Sequence, residues 1–414
     1  MQYVKQARCT RCNKTYHLDD TLMHCDDCLE LGILDIEYDY HAMRQTIDKH
    51  YFNTNKDYSI WRYKPMMSVA NKHNIDTLHV GWTPMHKADN IAKLIKLKTL
   101  YLKDDSLNPT GSLKDRASVV AVIKACDANQ TIVACSSTGN AATSLAGNAA
   151  KVGLKTMIFV PKRIPDGKRM QLSIYGATIF QVDGDYQATY ELSKQAIAHF
   201  GWYNRNAAIN PHLVEGKKTV AYEIAEQLDF KPTDWVIVSV GDGCTIAGVY
   251  KGFYDMKQCG LIDKIPKLLG VQSEGCSPFV DAFDTQSSLK ITKENTIADS
   301  ISVGVPRNPI KALNAVKNSK GHWLKVSDQA ILESMAQLGS AQGVFAEPAA
   351  AASLAGLLEA LNKKIISANE SVTLIITGNG LKDPKNAMKL IQEKHSIAPS
   401  LTAIKQRLNK ERKT

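Results

Sequence analysis

The sequence predicts an α/β protein with mainly parallel sheets, and two observations carry the prediction. From Thr99 onward, short apolar runs alternate with helical segments. TLYLKDD leads to a helix from about Ser112, and TIVAC to a helix from Thr138. KTMIFVP and TIFQVD each precede another helix, WVIVSV opens a further one, and KLLGVQSE and SVTLIITG follow late in the chain. Such alternation builds parallel sheets with crossover helices. The second observation is that the runs are almost wholly apolar, as expected of strands covered on both faces. Ligands in such folds gather beyond the carboxyl ends of the strands, so the informative residues should lie just after each run.

The first thirty residues read differently. Cys9-Thr-Arg-Cys12 and Cys25-Asp-Asp-Cys28 are two Cys-x-x-Cys knuckles separated by twelve residues. Four thiolates on two tight turns close a tetrahedral shell around zinc, leaving no open position for catalysis. The spacing therefore predicts a structural zinc-ribbon-like module; a ribbon without metal or a pair of labile disulfides would share it. The chain has nine cysteines, and the odd number argues against a complete disulfide framework. The other five read as small buried hydrophobes. The expected division is a module at 1–32, a large α/β domain from 33–125 and 216–414, and a small α/β domain at 126–215. Residues 33–80 read as a connecting arm with helical runs at Tyr40–Lys49 and Met66–Lys72.

Composition sets the remaining bounds. With 44% hydrophobic and 22% charged residues over 414 positions, the chain is neither disordered nor fibrous. No apolar run approaches a membrane span, and the N-terminus has no apolar signal core, which points to the cytoplasm. The formal net charge is +10. Part of it lies between Lys405 and Lys413, which reads as a solvated helical end. A basic protein suits an anionic substrate, and basic tails also attract nucleic acid.

Four segments after strands carry chemistry. In Asn108-Pro-Thr-Gly-Ser-Leu-Lys-Asp-Arg116, a turn leads into a helix with Ser112 as its expected cap, and Lys114 falls in the first turn. The positive end of the helix dipole there favours the neutral amine that Schiff-base chemistry needs. Cys135-Ser-Ser-Thr-Gly-Asn140 offers hydroxyls and amides at a helix start, where a carboxylate binds; Asn140 would reach a ring hydroxyl. Gly241-Asp-Gly-Cys-Thr-Ile-Ala-Gly248 is a phosphate cradle in form, but neither a Walker A loop nor a dinucleotide fingerprint. Thr377-Gly-Asn-Gly380 ends a strand with a hydroxyl suited to a heterocycle nitrogen. A lysine, a carboxylate loop, a phosphate cradle and a terminal threonine, in this order, make one site for a phosphorylated pyridine aldehyde and an amino acid.

This constellation resembles the fold type II pyridoxal-phosphate (PLP) enzymes, the tryptophan synthase β-like group, and within it the threonine synthase family. The resemblance spans nearly the whole chain: the ribbon, Gly81-Trp-Thr-Pro84, the lysine segment, Ser136-Ser-Thr-Gly-Asn140 and Val214-Glu-Gly-Lys-Lys-Thr219. It continues through Ser302-Val-Gly-Val-Pro-Arg-Asn308, Gly343-Val-Phe-Ala-Glu-Pro-Ala-Ala350 and Ile376-Thr-Gly-Asn-Gly380. It implies two three-layer α/β domains and a homodimer. Lys114 would bind the cofactor and shuttle protons, with Asn140 on the ring hydroxyl. Gly241, Asp242, Gly243, Cys244 and Thr245 would hold the cofactor phosphate, and Thr377 would meet the pyridine nitrogen. Ser137, Thr138 and Gly139 would hold the substrate carboxylate, and Arg116, Lys217, Lys218 and Arg307 are candidates for its phosphate.

The implied reaction converts O-phosphohomoserine and water to threonine and phosphate. Two departures qualify it: Leu113 stands where the family usually has phenylalanine, and Asp242, Cys244 and Thr245 stand where threonine synthases usually show asparagines. An aspartate beside a phosphate is tolerable only if its side chain points away. A β-elimination (threonine or serine ammonia-lyase type) or a β-replacement of cysteate synthase type would use the same scaffold. A zinc-ribbon nucleic-acid binder with an inactive enzyme body would instead show salt-dependent binding and no PLP absorbance.

Overall fold

The computed structural model describes residues 1–137, 139–162, 166–184, 186–390 and 396–411. An antiparallel sheet comes first, built from β1 (Val4–Cys9), β2 (Thr15–Tyr16), β3 (His24–Cys25) and β4 (Leu29–Tyr38) in the order β2-β1-β4-β3. Strands β5 (Met85–Lys87) and β6 (Thr99–Asp104) open a larger sheet. A separate four-stranded sheet then forms from β7 (Ile132–Ser136), β8 (Lys155–Pro161), β9 (Thr178–Val182) and β10 (Tyr203–Asn204), in the order β10-β7-β8-β9 and parallel throughout. Finally β11 (Trp235–Ser239), β12 (Lys267–Ser273), β13 (His322–Val326) and β14 (Ser371–Ile376) complete the six-stranded sheet, β13-β12-β11-β14-β6-β5. Only β5 runs antiparallel in it.

Every apolar run singled out in the sequence is a strand of the two parallel sheets. All five residues of β11 are buried, as the absence of alternation requires. The first sheet departs from expectation: β4 runs on to Tyr38, past the boundary at residue 32, because Ile33, Leu34 and Ile36 are buried. Tyr40–Lys49 divides into helices Tyr40–Arg44 and Lys49–Thr54, since Asp48 caps the second by accepting from the Tyr51 N–H. Met66–Lys72 is not a helix. The N–H groups of Asn71 and Lys72 go to the Asp127 carboxylate instead of carbonyls one turn back. The basic C-terminal stretch forms a helix at Leu401–Glu411, and residues 412–414 lie outside the described residues. No helix among the described residues is long and apolar enough to cross a membrane.

One buried ion network fixes how the lysine segment meets the large sheet. Arg116 is fully buried. Its guanidinium donates to Asp105 at 2.6 and 2.8 Å, to Glu223 at 2.8 Å and to Thr219 at 3.0 Å. Lys103, at the end of β6, pairs with the same Glu223 at 2.6 Å. Two cations thus face two carboxylates with no access to water, and the geometry is bidentate, as an interior arginine demands. Replacing one carboxylate leaves a charge stranded. Glu223→Ala should therefore destabilise the chain by about 3–5 kcal/mol, read as a lower denaturation midpoint in urea; an unchanged midpoint would contradict the network's role.

Candidate active site

The carboxyl ends of β6, β7, β11 and β14 point toward one cavity of about 270 Å³ between the two parallel sheets. Lys114, Ser137, Gly139, Asn140, Lys217, Gly241, Asp242, Gly243, Cys244, Thr245 and Thr377 all line it. Thr138 lies outside the described residues. The sequence segments, scattered over more than 260 positions from Lys114 to Thr377, therefore converge as parallel topology predicts.

Lys114 is the first residue of helix Lys114–Asp127. The expected cap is corrected here: Ser112 makes no cap bond and its buried Oγ has no partner. The helix start is fixed instead by the Leu113 N–H donating to the Thr377 carbonyl at 2.9 Å. A second tie comes from Asp115, which accepts from the Thr110 N–H and hydroxyl at 2.7 Å each. Lys114 Nζ has no hydrogen-bond or ion-pair partner among the described residues. Its pKa is lowered, first by burial and then by the nearby Arg205 charge. Desolvation, more than a helix dipole, readies the amine.

The cradle after β11 turns through Gly243 (φ +85°) into helix Cys244–Gln258. A Cβ on Gly243 would lie 2.7 Å from Ala312 Cβ and 2.9 Å from the Asn308 carbonyl oxygen, so both conformation and space require glycine. Asp242 does not disrupt the cradle: its carboxylate accepts the Arg307 N–H at 3.3 Å and its carbonyl accepts the Asn308 N–H at 3.0 Å. The backbone amides of a helix N-terminus are left to an anion.

The four candidates for a substrate phosphate part company. Arg116 belongs to the core network above, and Lys218 is fully buried between Glu215 (2.6 Å) and Asp255 (2.7 Å). Neither lines the cavity; their charges are already matched. The Arg307 guanidinium stacks over Tyr190 at 4.4 Å and bonds Gln187, also away from the cavity lining. Lys217 does line it, only 4% exposed, with no hydrogen-bond or ion-pair partner among the described residues. Burial pushes its pKa down to about 8.

Sequence reasoning missed Arg205 and Glu347. Arg205, 2% exposed, lines the cavity, and among the described residues its guanidinium donates only to Ser118 Oγ, at 3.1 and 3.3 Å. It follows β10, a strand of two residues that leaves no apolar run to read. Glu347 stands in the quoted segment Gly343–Ala350, but before a proline at a helix start it looks like a cap; it makes no cap bond and faces the cavity. Asp299 also lines the cavity and is paired with Lys168 of helix Asp166–Ile174.

Before any ligand chemistry is invoked, the residues themselves fit a phosphorylated aldehyde. They offer a lysine with no partner among the described residues, a glycine-shaped cradle of amides and buried cations without an ion pair among those residues. Comparison with known proteins agrees. Residues 76–378 match the family described as pyridoxal-phosphate dependent enzyme. Threonine synthase of Methanocaldococcus jannaschii is 37% identical over 401 residues, covering 96% of this chain and 98% of that protein. Threonine synthase of Methanosarcina acetivorans is 35% identical, covering 96% and 97%. Among solved structures, maize serine racemase superposes with a TM-score of 0.63 at 21% identity, covering 88% of this chain and 98% of that one. A fungal L-serine ammonia-lyase from Rhizomucor miehei gives 0.65 at 21%, covering 76% and 98%. These two show the shared fold. The chain belongs to the pyridoxal-phosphate dependent enzymes of fold type II and, within them, to the threonine synthase family.

The cradle yields a direct test. Gly243→Ala should cost about 1–3 kcal/mol from forced contacts and weaken cofactor retention, read as PLP absorbance lost on desalting. Full retention would show that the turn does not hold the phosphate.

Proposed function

We propose that the chain forms threonine and phosphate from O-phosphohomoserine and water. One observation carries the choice of substrate: Arg205 and Lys217 are two cavity-lining, almost fully buried cations with no carboxylate partner among the described residues. Unpaired buried charge is costly, and a phosphorylated substrate would bring an anion to match it. Asp242, which argued for a different reaction, is turned to the Arg307 amide and gives no ground for preferring elimination or β-replacement.

The cofactor supplies the electron sink for carbanions next to the amino group. The protein's own residues do the rest. Lys114, whose pKa burial lowers, takes and returns protons on one face of the bound substrate. Ser137 and Gly139, which line the cavity, would hold the substrate carboxylate, and Arg205 with Lys217 would grip the phosphate as it leaves. Asp299, which lines the cavity, is held by its ion pair with Lys168. Thr377 offers a hydroxyl, not a charge, to the pyridine nitrogen.

A structural zinc belongs to the same proposal. The Sγ atoms of Cys9, Cys12, Cys25 and Cys28 lie within 4.8 Å of one another, and Cys12 and Cys25 are 3.6 Å apart. Zinc–sulfur bonds of about 2.3 Å place tetrahedral sulfurs about 3.8 Å apart. A three-part division whose first module runs on to Tyr38, a homodimer and a reducing cytoplasm that keeps the four thiols available to the metal complete the reading.

Three outcomes are expected. Purified protein given O-phosphohomoserine releases threonine and phosphate in equal amounts, and Lys114→Ala abolishes both; ammonia and a 2-oxo acid would mean elimination instead. Because Lys217 is charged only below about pH 8, kcat/KM for the phosphorylated substrate falls as pH rises through that value. Lys217→Arg, which stays charged, should flatten that limb, and a limb that persists unchanged would assign it to another group. Metal analysis should find one zinc per chain in the wild type and little in Cys25→Ser, with a lower Tm. Zinc-free protein of unchanged Tm would refute the metal.

A further inference from the structure

A second cavity, of about 440 Å³, shares no lining residue with the first. It is walled by the turn ahead of Lys114 (Thr110, Gly111), by helix Asp166–Ile174 with Tyr175, and by the segment after β14 (Asn379, Leu381, Lys382). Its polar feature is Lys382, 8% exposed and in no ion pair among the described residues. The ammonium donates to Thr143 Oγ1 at 3.1 Å and to Gln171 Oε1 at 3.0 Å. Gln171 is itself aimed by its Nε2, which donates to the Thr110 carbonyl at 3.2 Å and the Tyr175 hydroxyl at 3.1 Å. A lysine ammonium has three N–H donors, so one is left without a partner among the described residues. Burial lowers the Lys382 pKa to about 8, while Glu347 and Asp115 raise it without bonding to it, so the amine is mostly charged at neutral pH. A buried charge of this kind calls for a counter-ion.

The rest of the lining is mainly apolar. Met170, Ile174 and Leu381 are exposed at 66%, 80% and 73%, and apolar surface grouped in this way marks a binding site. No lining residue is acidic, and the other lining cation, Lys168, is already paired with Asp299. An amino acid would bring an ammonium with no counter-charge among these residues. We propose that the cavity binds a short aliphatic monocarboxylate that carries no ammonium. Its carboxylate takes the remaining N–H of Lys382, and its hydrocarbon body covers Met170, Ile174 and Leu381. The occupant rests against a joint in which the Asn379 N–H donates to the Gly111 carbonyl at 3.0 Å, tying the turn ahead of Lys114 to the end of β14.

The test is a calorimetric titration of the PLP-loaded protein with isocaproate at neutral pH. Wild type should bind one molecule per chain. Leucine adds the ammonium, acetate lacks the hydrocarbon body and isohexanol lacks the charge, and each should bind about tenfold or more weakly. Lys382→Met removes the counter-charge and should lose about tenfold or more. Ile174→Glu, at an exposed position outside the catalytic machinery, adds a repelling charge to the apolar wall. It should lose as much, and it serves if the methionine variant does not fold. Isocaproate binding that is unchanged in Ile174→Glu and in folded Lys382→Met belongs to another site and overturns the proposal. Absence of saturable binding to the wild type overturns it as well; if Ile174→Glu then splits a dimer, the apolar surface belongs to a second copy of the chain.

Discussion

The arrangement depends on the charge-balanced cluster of Arg116, Lys103, Asp105 and Glu223. It joins the end of β6, the start of the lysine helix and the segment after Thr219 with no solvent between them. Arg116 is two residues from Lys114, on the same first turn, so the cluster fixes the register in which the lysine enters the cavity. The sequence offered Arg116 as a substrate ligand; its charge is instead consumed in holding the helix that starts at Lys114. That division of labour follows from electrostatics, because a guanidinium with two carboxylates has no remaining demand for an anion.

The opposite situation defines the active cavity. Lys114, Lys217 and Arg205 share it with no ion-pair partner among the described residues, while Asp299 pairs with Lys168 and Asp242 accepts from a backbone amide. The cavity also holds the Glu347 carboxylate, which accepts from Asn140 and Ser300. Gly216 shows how tightly the wall is backed: a Cβ there would lie 2.0 Å from the Arg116 carbonyl oxygen, so Lys217 emerges from a helix pressed against the lysine helix. The first sheet contributes from behind. Ile33 of β4 packs with Val214, Ala208 and Cys244, and Tyr38 bonds Glu215, so the four-cysteine module buttresses the cradle rather than hanging from the enzyme.

Much of this was legible in the sequence where structure has a local cause. Fully apolar runs read as interior strands, and the segments after them read as site because parallel topology places them so. What escaped had non-local causes. Strand β10 is two residues long, so Arg205 had no frame to be read in. Met66–Lys72 has helical composition, but the Asp127 carboxylate takes its amides. Lys217 and Lys218 are adjacent and alike in sequence, and only the packing of Glu215 and Asp255 around Lys218 tells them apart.

The central claim is that the two unmatched cations recognise a phosphoryl group. The most direct measurement compares binding of O-phosphohomoserine and unphosphorylated homoserine to the PLP-loaded wild type and to the Arg205→Met, Lys217→Met double variant, following the cofactor spectrum. The account predicts that the variant keeps its cofactor and loses the preference for the phosphorylated ligand by about a hundredfold or more, as removal of two charge-assisted contacts implies. A variant that retains both its cofactor and that preference would contradict it.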